Sequence, residues 1–413
     1  MLWIAIHFPQ LPLDVALHSW CEQGDTPAIV SENRRVGWCN RVAEDAGICP
    51  GMSEANARAL AGALRSFARD PQRENQALQE AALAALRFTP QVSLRPFGFL
   101  MEVSASLRLF KGAQAIASQL LSTLAELGLD ARLAGATTAT GAWLRAQCDD
   151  LDKVFEADPP RALDPLPVAV LDTAQPHLDT LEGIGCRTLG QLRALPRTGL
   201  TRRFGRELLR ELDRAYGEEA EVHPWFEAPA VFDARLELPS RVDSTEALLF
   251  AARRLLLQLA GWLAARHAAV LGITLVLHHE SLRHRDHRRT PVIITLASPS
   301  RDIEHLTLLL RERLALLELR SPVCEVSLQA DQLVTQAAPN AELFPTPASK
   351  ADTLVRLVER LQSRLGPHAV RRVESFPDHR PEKSVLLPAV TDRKQRRAKE
   401  SETPREACIR PAW

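Results

Sequence analysis

Leu2-Trp3-Ile4-Ala5-Ile6-His7-Phe8 is an apolar run that passes into Pro9-Gln10-Leu11-Pro12-Leu13-Asp14, a proline-punctuated segment. A run of this length, closed by a turn-former, predicts a buried strand. Leu13, Ala16, Leu17 and Trp20 follow at helical spacing over residues 12–23, and Pro27-Ala28-Ile29-Val30 reads as a second short strand. Asn40 to Ala46 reads as a helix stopped by Gly47. Ser53, with Asn56 three residues on, is the expected N-cap of another helix through Leu64. Residues 72–88 are amphipathic, with Leu78, Ala81, Ala82 and Ala85 on one face. Val92-Ser93-Leu94-Arg95 and Phe99-Leu100-Met101-Glu102-Val103 are expected to pair as strands around Pro96-Phe97-Gly98. A helix over 112–127, a strand over 131–134 and a helix over 138–148 complete an alternating α/β unit.

A second compositional zone begins near Pro159-Pro160. Within it, Leu181-Glu182-Gly183-Ile184-Gly185-Cys186-Arg187-Thr188-Leu189 has the apolar-Gly-x-Gly form of a helix-hairpin-helix. Gly183 and Gly185 would let the turn present backbone N–H groups to a phosphate at the following helix N-terminus. From Leu181 to Tyr216 eight arginines stand against four acids, an excess that suits sequence-independent binding of a nucleic-acid backbone. A lone Gly-x-Gly is weak evidence, and an ordinary αα-turn with a solvated basic face is the alternative.

In the third zone Phe232, Ala234, Leu236 and Leu238 alternate with Asp233, Arg235 and Glu237, the period of a half-buried strand. A helix over 246–267, strands over 271–277 and 291–297, a helix over 302–319 and a last strand over 324–330 follow. The order β-α-β-β-α-β is the ferredoxin-like arrangement. Between the middle strands lies His278-His279-Glu280-Ser281-Leu282-Arg283-His284-Arg285-Asp286-His287-Arg288-Arg289. No helical i, i+4 histidine pair supports metal ligation there. A solvated hairpin tip or a DNA-facing basic edge is the simpler reading, and no metal or other cofactor is expected. Residues 337–348 are rich in Pro and Ala and enclose Asn340-Ala341-Glu342-Leu343-Phe344. Ser349-x-x-Asp352 is the expected cap of a helix with Leu354, Val358, Leu361 and Leu365 on one side. From Arg371 to Lys399 nine basic and four acidic residues predict an extended, flexible tail.

The 413 residues suffice for two to four domains, and 46% hydrophobic with 25% charged residues is ordinary for a soluble globular protein. Lys plus Arg (51) equals Asp plus Glu (51), so only the distribution of charge is informative. The longest strongly apolar run, Leu255 to Ala265, is too short to span a bilayer, and the N-terminus lacks the features of a signal peptide. Seven scattered cysteines, with no Cys-x-x-Cys pair, fit reduced thiols in a cytoplasmic compartment.

The three zones, in this order over residues 1–335, resemble the palm-fingers, thumb and little finger of Y-family translesion DNA polymerases. Leu2 to Leu13, Phe99 to Val103 and Arg380-Pro381-Glu382 look most like the branch of that family that supplies the polymerase-like component of bacterial mutagenesis cassettes. The resemblance implies an α+β multidomain right hand. Its palm and fingers would occupy 1–165 (fingers about 31–72), its helix-hairpin-helix thumb 166–228, and its ferredoxin-like little finger 229–335. A clamp-motif linker and partner-binding tail would occupy 336–413.

Two-metal nucleotidyl transfer needs carboxylates converging on two divalent ions about 3.5–4 Å apart. The family places an Asp at the end of the first strand, where this chain has His7. It places an Asp-Glu pair in the hairpin before the second palm strand, where this chain has Phe97 and Gly98; Glu102 matches an acid outside that pair. The Tyr and Arg that hold the triphosphate fall at Arg41 and Glu44, the aromatic that screens the sugar at Pro12, and the phosphate-binding Lys at Leu144, one step from Arg145. The resemblance therefore implies a fold kept after its chemistry was lost. The expected function is a catalytically inactive adaptor in DNA-damage-induced (SOS) translesion synthesis and mutagenesis. The alternative is an active translesion polymerase with an altered metal site built from Asp14, Glu102 or His7.

Implied partners are primer-template DNA, a sliding clamp, an ImuA-like RecA-related protein and an error-prone C-family polymerase that performs the synthesis. DNA is expected to be held without sequence preference by Arg187, Arg202, Arg203 and Arg206, with Arg283, Arg285, Arg288 and Arg289. Clamp peptides are commonly of Gln-Leu-x-Leu-Phe type. Asn340, Leu343 and Phe344 keep the final Leu-Phe without the Gln and first Leu, whereas Gln10-Leu11-Pro12-Leu13 follows a strand and is expected to be packed. Contacts with the other partners are expected from Ser349 onward. The end at Trp413, directly after a basic stretch, is compatible with a truncated chain, since family members often continue further.

Overall fold

The computed structural model of the chain describes residues 1–17, 26–148, 155, 162–279, 289–319, 321–335, 347–366, 369–371, 373–375 and 385–386. The chain forms two compact units, residues 1–242 with 254–266 and residues 243–253 with 267–413.

The first unit is built on β1 (Trp3–His7), whose Ile4, Ala5 and Ile6 are fully buried. With β5 (Val92–Arg95), β6 (Gly98–Glu102) and β7 (Arg132–Ala136) it forms a sheet of order β5-β6-β1-β7, antiparallel on both sides of β1. Trp3 and Ala5 share one face, where they pack with Leu100, Ala134 and Trp143. Trp143 comes from α6 (Ala139–Ala146), and α4 (Pro71–Ala85) packs on β5, β6 and α5 (Ala113–Glu126). Each outer strand is engaged at one point. The Phe226 N–H donates to the Val92 carbonyl at 2.7 Å, and Phe155 bridges Gly135.

A second sheet, order β3-β2-β4, joins β2 (Ala28–Glu32), β3 (Arg35–Cys39) and β4 (Arg65–Ala68), with β2 and β4 parallel. Strands β3 and β4 are additions to the expectation. Asn33 and Arg34, with φ of 52° and 63°, close the β2–β3 hairpin with a left-handed turn that carries no Gly to announce it. The helix expected through Leu64 ends at Leu60 as α3 (Glu54–Leu60), leaving room for β4; Ser53 caps it as anticipated. Asn40 caps α2 (Arg41–Asp45), and α1 covers Leu11–Leu17. The helical segment comprises α7 (Leu178–Gly183), α8 (Leu189–Ala194), α9 (Arg197–Phe204) and α10 (Arg206–Tyr216), around Leu181, Leu189, Leu192, Leu200 and Leu208.

The last expected pattern appears as β8 (Asp233–Val242), α11 (Thr245–Ala265), β9 (Ala268–His279), β10 (Arg289–Ser300), α12 (Ile303–Leu314) and β11 (Val323–Thr335). Connectivity is β-α-β-β-α-β, but the sheet order is β10-β9-β11-β8. The second and fourth strands therefore take the centre, not the first and third as a ferredoxin-like order requires. β9 is the most continuously apolar of the four and gains most from a partner on each side. Helix α11 is long and apolar enough to cross a bilayer, whereas the run from Leu255 to Ala265, interrupted by Gln258, reads as too short to do so. However, 67% of its apolar window is buried, and the indole N–H of fully buried Trp262 donates to the Pro229 carbonyl, as in a core helix. α13 (Pro347–Leu365) begins two residues before Ser349, which lies inside the helix instead of capping it, and packs on α12 and β10.

Candidate functional site

β1 ends at His7, the position matched to a metal-binding carboxylate of the resembled family. His7 sits opposite Gly98 on β6 and Arg132 on β7. Phe97 turns the β5–β6 hairpin in the left-handed region, φ 58°, and its carbonyl accepts the Phe8 N–H at 2.7 Å. Gly98 has no room for a side chain: a β-carbon there would lie 2.0 Å from the Ile6 carbonyl oxygen and 2.8 Å from the Trp143 ring. Trp143 meets His7 edge-on at 5.6 Å, and the Arg95 guanidinium lies 5.6 Å from the Trp143 ring centre. The strand end is thus lined by imidazole, indole and guanidinium groups.

A second cluster ties this hairpin to the three-stranded sheet. Phe97 packs against Trp38 of β3 at 6.0 Å, and the Arg69 guanidinium stands 5.0 Å from Trp38 and 5.5 Å from Phe97. Glu74 holds Arg69 with two hydrogen bonds, at 2.9 and 3.0 Å, and Glu32 adds contacts at 3.2 and 3.3 Å. Such bidentate geometry fixes the guanidinium plane over the rings. Neither Trp38, Arg69, Arg95 nor Trp143 was marked by the sequence, because none belongs to a spaced motif.

The carboxylates that might substitute stand elsewhere. Glu102 pairs with Trp3 at the opposite end of β1, four residues from His7, about 13 Å along a strand, and accepts the Ser104 N–H. Asp14 accepts the Asp130 N–H at 3.0 Å, and burial pushes its carboxyl up to about 7. Among the described residues no three of His, Cys, Asp and Glu gather as metal ligands would. The other matched positions are equally local in their contacts. Pro12 is buried in α1, and Leu144 is fully buried in the core of the helical segment. Arg145 turns inward to the Gly135 carbonyl. Arg41 and Glu44 lie on the exposed side of α2, where Glu44 accepts the Cys39 S–H at 3.8 Å.

In the helical segment Gly185 takes φ 78°, as the hairpin turn requires. The expected free amides are nevertheless engaged. Gly185 and Cys186 donate to Glu182 and Leu181, and Arg187 and Thr188 to the Gln191 side chain. Leu189 and Gly190 donate to Leu166 and Asp164. The capping box of Thr188 and Gln191 seals the helix N-terminus, so Gly183 and Gly185 shape the turn without offering N–H groups to a phosphate. The arginines divide into two sets. Arg193 and Arg197 pair with Glu218, Arg197 also with Asp213, and Arg210 and Arg214 with Glu219. Arg187, Arg202, Arg203 and Arg206 are exposed and carry no ion pair among the described residues.

Sequence comparison places these features in context. The chain is 31% identical over 350 residues to "Protein ImuB" from two strains of Caulobacter vibrioides, NA1000 / CB15N and ATCC 19089 / CIP 103742 / CB 15, covering 82% of this chain and 74% of each relative. The chain belongs to the ImuB family. No family model matches the sequence. Two solved structures align with the chain at low identity. A Y-family DNA polymerase chimera, Dbh-Dpo4(243-245)-Dbh, aligns with TM-score 0.44 and 15% identity over 81% of this chain and 100% of its own. DinB from Sulfolobus solfataricus aligns with TM-score 0.43 and 13% identity over 82% and 100%.

For this ImuB-family chain the histidine-rich connection is described only at its ends. His278 hydrogen-bonds Ser327 at 2.9 Å, and His279 bonds the Ser321 carbonyl at 2.9 Å and Thr290 at 2.8 Å, so both serve the strands. Arg289 opens β10, exposed and opposite His278. Arg283, Arg285, Arg288 and the clamp-like Asn340, Leu343 and Phe344 lie outside the described residues.

Proposed function

We propose that this ImuB-family chain is a non-catalytic, polymerase-like adaptor in DNA-damage-induced translesion synthesis, which holds DNA while another polymerase extends it. In this reading residues 1–165 are a palm and fingers, 166–228 a thumb and 229–335 a little finger, acting in the cytoplasm at the nucleoid. One observation carries the loss of chemistry. The position that would bear the second metal-binding carboxylate is Gly98, where the Ile6 carbonyl and Trp143 leave no space for any side chain. His7, Phe97 and Gly98 do not fit two divalent ions, which require converging oxygen ligands. Glu102 and Asp14 are both committed elsewhere, which disfavours an altered metal site.

The retained role is electrostatic. Arg187, Arg202, Arg203 and Arg206 supply charge to DNA phosphates through side chains rather than through the hairpin amides, joined by Arg289 and the adjacent Arg283, Arg285 and Arg288. The clamp contact is assigned to Leu343 and Phe344, and the RecA-related and C-family polymerase partners to the segment after Ser349. Primer extension with Mg²⁺ or Mn²⁺, run beside DNA binding on one sample, tests the reading. Binding without synthesis is expected for the wild type and for His7→Asp. Nucleotide addition that disappears on changing Asp14 or Glu102 would overturn it.

A further inference from the structure

Among the described side chains of α13 the single buried one is a carboxylate. Glu359, only 3% exposed, accepts the Ala297 N–H at 2.6 Å and the Ser298 N–H at 3.4 Å through Oε1, and meets His305 Nε2 at 2.7 Å through Oε2. Ala297 and Ser298 lie where the pairing of β10 with β9 breaks its register, between Thr295 and Ser300. Two bulge amides and an imidazole therefore converge on one carboxylate. Little else holds the helix. Leu354, Leu357, Leu361 and Leu365 are exposed and bury little apolar surface against the second unit. Arg356 pairs with Asp302 at 2.9 Å and Arg360 with Glu312 at 3.1 Å, but both arginines are about half exposed, and such pairs contribute little. An open cleft of about 350 Å³, lined by Asp302, His305, Leu308, Arg356, Leu357 and Arg360, runs between α12 and α13.

We propose that the Ala297 and Ser298 amides and the His305 imidazole form a carboxylate-binding notch, and that α13 is a releasable arm latched by Glu359 seated in it. A helix anchored chiefly by polar groups opens locally at low free energy. Undocking exposes little further apolar surface, and both halves of the latch regain water. Release vacates the notch and frees both sides of α13 in one step. Any other carboxylate that enters the notch competes with Glu359 for the same three donors, so occupancy of the notch and docking of α13 exclude each other. The latch lies wholly within the second unit and operates whether or not the chain is an adaptor in translesion synthesis.

Hydrogen exchange of the full chain, read by mass spectrometry, tests both halves of the proposal. In the wild type the amides of residues 354–365 are expected to exchange about tenfold faster than those of β9. Glu359→Ala should speed them by about a further tenfold while leaving β9, thermal melting and DNA affinity unchanged. Glu359→Gln keeps an acceptor for the Ala297 N–H and should fall between the two. Arg356→Ala/Arg360→Ala should change the rate by about twofold or less. Sodium acetate, compared with sodium chloride at equal ionic strength, should slow exchange at Ala297 and Ser298 in Glu359→Ala, because a small carboxylate fills the vacated notch. It should have no such effect on the wild type, whose notch is filled. Wild-type α13 as protected as β9, or protection lost throughout the second unit in Glu359→Ala, would overturn the arm by making α13 a fixed part of the fold. Unchanged α13 exchange in Glu359→Ala would overturn the latch, and equal effects of acetate and chloride would overturn the notch.

Discussion

Gly98 is held between the Ile6 carbonyl and Trp143 so closely that its hydrogen is a packing requirement. Gly98→Ala is therefore expected to destabilise the protein by about 2–3 kcal/mol, seen as a lower urea midpoint at unchanged slope. A second prediction concerns Asp14, whose carboxyl burial raises to about 7 while the unfolded chain titrates at the ordinary value of 3.8. Between those values the folded state holds the proton and the unfolded state has released it, so stability falls as pH rises from about 4 to 7 and is flat above. Asp14→Asn keeps an acceptor for the Asp130 N–H without the charge. Chemical denaturation at pH 5 and pH 8 should show a smaller pH dependence in the variant, by an amount on the order of a few kcal/mol at most. Equal slopes in both proteins would show that Asp14 titrates normally.

Among the elements, the helical segment offers the cleanest contrast. Arg202→Ala/Arg203→Ala/Arg206→Ala should weaken binding to all DNA sequences alike and reduce the salt slope by about one for each phosphate no longer neutralised. Arg193→Ala/Arg197→Ala removes arginines already held by Glu218 and Asp213, and should leave the salt slope nearly unchanged. The basic excess was legible in the sequence, but its division into paired and unpaired arginines was not. The acids that neutralise half of it include Glu218 and Glu219, just past the counted span. Strands with clear alternation, such as β8 and β11, were readable because period-2 burial is written into the residues themselves. Sheet order was not, since the pattern that makes β9 a strand does not name its neighbours. The strand end told a similar story: His7 could be compared with a family position, whereas Trp143, which fills the space beside it, reaches β1 only through folding. In α13 the sequence set Leu354, Val358, Leu361 and Leu365 on one side but did not say whether that side is buried, and the three leucines stand exposed.

At the scale of the whole molecule, the proposed adaptor role predicts several attachments on one chain, each of which should fail independently. Leu343→Ala/Phe344→Ala is expected to abolish pull-down by purified sliding clamp while leaving DNA affinity intact. Leu11→Ala should leave clamp binding unaffected, because Leu11 is 1% exposed. Failure of clamp binding in Leu11→Ala alone would move the attachment to the start of the chain. One backbone contact on each edge of the first sheet bears on how any such attachment can be made. Val92 accepts from Phe226 on one side, and Phe155 bridges Gly135 on the other. At those points a visiting peptide finds the backbone already spoken for and cannot extend the ladder as an extra strand. At those two points recognition is left to side-chain shape and charge, because the backbone groups of Val92 and Gly135 already have partners.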